Sequence, residues 1–139
     1  MTGEVRDYWF ARRRTIRLMS DYSSSPLWGE AGNLGTDSLG LSDDLVERLD
    51  EWQSIFDGNF HYKTGWNSEA NHQRYNALGR ELLPRVCAEL PGYIVELHLW
   101  AGGEEIVERA GEWLPGWTPP PRDEEGTWTA YLPLSDPLE

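Results

Sequence analysis

The stretch that most limits what this chain can become runs from residue 42 to residue 58. Ser42-Asp43-Asp44 opens it, and Leu45, Leu49, Trp52 and Phe56 follow at spacings of four, three and four, with Val46 and Ile55 at the edges of the stripe. Serine at an N-cap accepts from a free helix N–H, and two carboxylates in the first turn meet the positive end of the helix dipole. One apolar stripe on an otherwise charged helix demands a second surface to cover it. Gly58 fits the left-handed residue that commonly follows a helix. Residues 59–66 then link to a second helix, capped by Asn67 or Ser68 and buried along Tyr75, Leu78, Leu82, Val86 and Leu90. Pro84 removes a backbone donor inside it, so a kink or break is expected there, and Pro91-Gly92 stops the helix.

What the helices cover reads as a small sheet. Residues 15–22 alternate, with Ile16, Leu18 and Ser20 on one face, and Ser23-Ser24-Ser25-Pro26 ends the strand. A Gly-containing loop runs on to residue 41. The clearest strand is 93–100, where Tyr93, Val95, Leu97 and Leu99 face one way and Ile94, Glu96, His98 and Trp100 the other. Gly102-Gly103 is a hairpin signal that sets Leu99 opposite Ile106, Glu96 opposite Arg109 and Leu97 opposite Glu108. A short helix competes for residues 106–113, because Ile106, Ala110 and Trp113 also sit at helical spacing. Residues 115–121, ending in three prolines, read as an extended linker. Asp123-Glu124-Glu125 is an acidic turn, and 127–134 is a possible late edge strand. The expected fold is α+β in the order β-α-α-β-β. Its mixed or antiparallel sheet of three or four strands carries both helices on one face, and the pairing sense of the first two main strands is left open. Residues 1–13 form an N-terminal extension to a single domain over 14–139, whose final third is acidic.

Charge and composition narrow the function. The chain of 139 residues has a formal net charge of −12. Residues 1–17 hold five arginines against Glu4 and Asp7, a net of +3, so the rest carries −15. A body that acidic repels nucleic-acid phosphate and attracts a basic protein. Eight Trp, six Tyr and three Phe supply core area despite a hydrophobic fraction of 39%. No apolar run approaches the roughly 20 residues that span a bilayer. The single Cys87 excludes an intrachain disulfide and reads as a small core residue. Arg12-Arg13-Arg14 lacks the apolar stretch of an export signal, so the cytoplasm is the expected compartment.

No catalytic constellation stands out. Asp21, Ser23, Ser24 and Ser25 at the end of the first strand, with His61 and His98, are the candidates for a ligand or hydrolytic site, since strand ends often hold ligands. A serine nucleophile needs a base in reach, and neither a G-x-S-x-G turn nor diagnostic histidine spacing is present. His61, His72 and His98 have no metal-ligand spacing, so no metal or cofactor is implied. The loop aromatics are different. Phe60, Tyr62 and Trp66 between the helices, and Trp113 and Trp117 with Asp123, Glu124 and Glu125 near the C-terminus, are the residue types that anchor protein interfaces. They are equally able to cap the ends of a small core.

The segment Thr15-Ile16-Arg17-Leu18-Met19-Ser20-Asp21-Tyr22-Ser23-Ser24-Ser25-Pro26-Leu27-Trp28 resembles the opening of a group of small acidic actinobacterial proteins of uncharacterised activity. The similarity resumes at Leu41-Ser42-Asp43-Asp44-Leu45, Trp52, Gly79-Arg80-Glu81-Leu82 and Glu89-Leu90-Pro91, and covers roughly residues 15–100. It implies a lineage and brings no activity with it. Group members start near residue 14, so residues 1–13 depart from the pattern.

Acidity, loop aromatics and the missing catalytic set together point to a non-enzymatic protein that binds a partner with a basic surface. Its concrete form is an immunity protein or inhibitor of a basic toxin. The competing expectations are a small-molecule-binding or hydrolytic domain at the first strand's end, and a homo-oligomeric structural protein, such as a homodimer, whose aromatics form the seam.

Overall fold

The computed structural model describes residues 5–101 and 104–121. A five-stranded mixed sheet forms from β1 (Thr15–Leu18), β2 (Leu27–Gly29), β3 (Gly32–Leu34), β6 (Ile94–Ala101) and β7 (Glu104–Gly111), in the order β3-β2-β1-β6-β7. β4 (Phe60–His61) and β5 (Gly65–Trp66) make a separate two-stranded ribbon between α1 (Asp43–Asn59) and α2 (Glu69–Glu89). The fold is α+β as expected, but the sheet is larger and its element order differs. The loop after the first strand contains β2 and β3, whose three-residue length gives no alternation to read. β2 pairs antiparallel with one edge of β1, Leu18 facing Leu27, and β6 pairs parallel with the other, Ile16 facing Val95. The first two main strands are therefore parallel.

Alternation explains the burial of β6. Val95, Leu97 and Leu99 are buried along with Ile16 and Leu18 of β1, and they share one core with the inward residues of both helices. α2 lies over β6 and β7, and α1 packs against α2. The hairpin register has Leu99 opposite Ile106, Glu96 opposite Arg109 and Leu97 opposite Glu108. Residues 104–111 are thus strand and not helix, because pairing with β6 satisfies their backbone. Gly102-Gly103, Asp123-Glu124-Glu125 and the expected edge strand over 127–134 lie outside the described residues.

α1 begins at Ser42, whose Oγ accepts from Leu45 N–H, while the Glu89 carboxylate accepts from both Ser42 N and Ser42 Oγ at 2.7 Å. The start of α1 is thereby tied to the end of α2. Leu45, Leu49, Trp52 and Ile55 are buried, and Phe56 is half-buried at the stripe's end. Gly58 is not the terminator. α1 continues to Asn59, whose Nδ2 donates back to Ile55 O at 2.9 Å, and the chain then extends directly into the ribbon. Ser68 caps α2. α2 runs unbroken through Pro84, whose ring is exposed while Leu82, Leu83 and Val86 around it are held in the core.

The N-terminal arm docks beside the start of β1. Ala11 is buried, and Val5, Tyr8 and Phe10 pack on the core. Tyr8 Oη donates to Leu39 O at 2.9 Å, Tyr93 Oη donates to Arg6 O at 2.8 Å, and Arg13 N–H donates to Glu30 Oε2 at 2.7 Å.

Candidate functional site

The ribbon between the helices is built from a carboxamide cluster. Asn67 Nδ2 and Asn71 Nδ2 both donate to Asn59 Oδ1, at 2.9 and 3.0 Å, and Asn71 Nδ2 also donates to Asn67 Oδ1 at 2.9 Å. Asn67 N–H donates to Asn59 O at 2.8 Å. Three amides thus staple the end of α1, the exit of β5 and the first turn of α2. Gly65 takes a φ of 80°, which its missing side chain permits, and lets the chain reverse over the three residues 62–64.

On this base the aromatic rings form a graded ladder. Trp52, fully buried, stacks on Tyr75 at 4.7 Å and donates its Nε1–H to Tyr75 O at 2.9 Å. Burial pushes the Tyr75 phenol above its ordinary pKa, so it stays neutral. Tyr75 meets Trp66 at 5.1 Å and Phe56 at 6.1 Å, and Phe56 stacks on Phe60 at 4.9 Å. The ladder ends in solvent. Tyr22, 45% exposed, lies 5.5 Å from Phe56, and Tyr62, 68% exposed, meets Tyr22 edge-on at 6.5 Å. Phe60 and Trp66 are half-buried supports, and Tyr62 is the projecting ring.

Tyr22 arrives there because the loop after β1 folds onto α1. Gln53, buried, donates its Nε2–H to Asp21 O at 2.7 Å and to Asp57 Oδ1 at 3.1 Å. Ser23 takes a left-handed φ of 56° and points its N–H at Asp57 Oδ1, at 3.5 Å. The end of the first strand and the inter-helix segment, two separate regions in the sequence, are one surface in space.

The hydroxyls of Ser24 and Ser25 are occupied locally. Ser24 Oγ donates to Asp21 O at 3.1 Å, and Ser25 Oγ donates to Leu34 O at 2.5 Å while accepting from Leu27 N–H at 3.0 Å. His61 stacks on Tyr62 at 4.8 Å, with its Nδ1 accepting from Lys63 N–H at 3.1 Å. His98 stands apart, on the sheet face turned away from the helices, between Glu96 and Glu105. Its contacts and the Arg109 guanidinium hold the Glu96 carboxyl down at about 2, against the opposing effect of burial. No hydrogen bond joins His98 to Asp21 or to the serines among the described residues. The same residues contain no group of three side chains suited to a metal ion.

Trp113 and Trp117 occupy the other end of β1. Trp113 Nε1 donates to Arg14 O at 2.9 Å, the Arg14 guanidinium sits 4.5 Å over the Trp117 ring, and Arg13 reaches Pro120 O. Their surroundings are arginine-rich, whereas Tyr22 lies beside Asp21 and the Ser23–Asp57 contact, and Tyr62, which meets Tyr22, has Lys63 Nζ 5.6 Å from its ring centroid. The sequence names Phe60, Tyr62 and Trp66 but does not link Tyr22 to them. The asparagines at 59, 67 and 71 were the available signal, since 67 and 71 stand one helical turn apart.

A family model described as Serratia CdiI immunity protein-like matches residues 14–98, more than half of the chain. The chain belongs to this family. The matched span takes in β1, both helices, the ribbon and the rings at Tyr22 and Tyr62, and it ends within β6. Trp113 and Trp117 fall beyond it. No curated protein matches the chain. Among the described residues, no helix is long and apolar enough to cross a membrane.

Proposed function

We propose that this protein is a cytoplasmic immunity protein that neutralises a toxin by binding it, without chemistry of its own. Membership of the CdiI-like immunity family is the observation that carries this reading. The charge adds the character of the partner. With −15 on the residues after the arginine-rich start, the protein suits a toxin with a basic surface. Ser24, Ser25, His61 and His98 support binding over catalysis, because they are taken up by the loop backbone, by a neighbouring ring and by Glu96 and Glu105. The contact residues are drawn from Phe60, Tyr62 and Trp66, with Trp113, Trp117, Asp123, Glu124 and Glu125 as the second group.

The test is protection. A toxin encoded beside this gene is expressed under an inducible promoter, with and without the protein. Survival only with the protein present is expected, together with co-purification that weakens as salt is raised. Equal killing in both cultures refutes the proposal, and salt-independent recovery refutes its electrostatic part.

A further inference from the structure

The geometry points to a defined docking shelf: Tyr22 and Tyr62, continued by the outward carboxylates of α1, receive a toxin face that is cationic and has an apolar slot for the Tyr62 ring. This rests on the immunity reading above and deepens it by naming the surface and what it meets.

Three observations converge. First, Tyr22 and Tyr62 are large exposed rings, 45% and 68% accessible, and they touch each other. Tyrosines of this kind are favoured interface anchors because they bring much area for little rotamer entropy. Both are pre-positioned, Tyr22 by the Ser23–Asp57 contact and by Phe56, Tyr62 by the asparagine staple beneath the ribbon. A rigid anchor loses less on binding than a mobile one.

Second, the shelf has a charged continuation. Glu47, Asp50 and Asp57 follow one another along the face of α1 opposite its buried stripe, and all are exposed. Asp44 and Glu51 on the same helix are paired with Arg85 and Arg48, but neither Glu47 nor Asp50 makes an ion pair with a described residue. Asp57 reaches Ser23, so the acidic face leads directly to Tyr22. Unneutralised carboxylates beside aromatic anchors complement a cationic partner and speed its approach.

Third, the alternative surface is less complementary. At the far end of β1 Trp9 is 80% exposed, but Trp113 and Trp117 are half-buried and stand near Arg12, Arg13 and Arg14, the last paired with Asp7. That end attracts a basic toxin less strongly than the acidic face of α1 does.

The experiment measures binding of the toxin domain encoded beside this gene by surface plasmon resonance, to the wild-type chain and to Tyr62→Ala, Tyr62→Phe, Asp50→Lys and Trp9→Ala. Tyr62→Ala is expected to weaken Kd by about 30-fold or more, as truncation of a central anchor does. Tyr62→Phe should recover most of the loss. Asp50→Lys should slow association roughly tenfold at low salt and leave dissociation nearly unchanged. Trp9→Ala should stay within about twofold of wild type. The positions are exposed, so melting temperatures should match, and a variant that melts early is replaced by Glu47→Lys. If wild type binds while Tyr62→Ala and Asp50→Lys bind equally well, the shelf is refuted and the immunity reading stands. If wild type does not bind, both fall.

Discussion

Replacing Gly79 by alanine sets two known effects against each other inside one helix. Alanine is the better helix former, worth up to about 1 kcal/mol over glycine in a helix interior. At Gly79, however, a Cβ would lie 3.1 Å from both Cζ2 and Nε1 of Trp52 and 3.2 Å from Leu97 Cδ1. Something must move, and Trp52 is poorly able to. It is fully buried, stacked on Tyr75 and fixed by its hydrogen bond to Tyr75 O. Overpacking of this kind costs about 1–3 kcal/mol. The clash should therefore offset the propensity gain and leave a net loss of up to about 2 kcal/mol, so at roughly 3–5 °C per kcal/mol for a chain of this size Tm should fall by up to roughly 10 °C. Gly58→Ala is the matched control. It is also helical, has nothing within 4 Å of its built Cβ and keeps a negative φ, so it should raise Tm. Thermal melts followed by circular dichroism, with urea unfolding to check that m is unchanged, read both. If Gly79→Ala stabilises as Gly58→Ala does, the close packing of α2 onto Trp52 and β6 is wrong.

Three further predictions concern the joints of the fold. Ser42→Ala removes the cap of α1 and the hydroxyl contact with Glu89 while keeping the backbone one, and should cost about 1–2 kcal/mol by chemical denaturation. Asn71→Ala should unlock the ribbon at a cost of about 1–2 kcal/mol, seen as faster amide exchange at Asn67 with β6 unaffected. Glu96 gives a pH dependence. Its pKa falls from 4.5 to about 2 on folding, chiefly through His98 and then Arg109, so its contribution is complete above pH 4.5 and disappears as pH drops towards 2. Allowing for solvent screening, about 1–3 kcal/mol should be lost across that window, and Glu96→Gln should flatten the curve. An unchanged curve would contradict the assigned contacts.

Much of this architecture could be read from local chemistry. Ser42 and Ser68 are caps whose hydroxyls have no better use than the free N–H groups of the next turn. Tyr93, Val95, Leu97 and Leu99 alternate because one face of β6 is covered and the other is not. The Gly102-Gly103 hairpin signal is enough to dictate three cross-strand pairs, Leu99 with Ile106, Glu96 with Arg109 and Leu97 with Glu108. What escaped depends on distant partners. β2 and β3 are strands only because β1 offers them an edge, and nothing in Leu27-Trp28-Gly29 alternates. Gly58 looked like a terminator, yet the carboxamide cluster beyond it carries α1 to Asn59. The aromatic ladder joins residues 22, 56, 60, 62, 66 and 75, and no spacing along one element encodes it. The divergent fates of Tyr62 and Trp113, one projecting beside Tyr22 and the other tied to Arg14, likewise follow from opposite ends of a sheet.

The parallel pairing of β1 with β6 places nearly eighty residues between partners such as Ile16 and Val95. During synthesis the central strand must wait for its neighbour, for about 4–16 s at about 5–20 residues per second. Contacts so remote in sequence also slow the folding search. Until Val95 emerges, β1 can pair on one edge only, with β2, so its other edge stands open to a wrong partner for that interval.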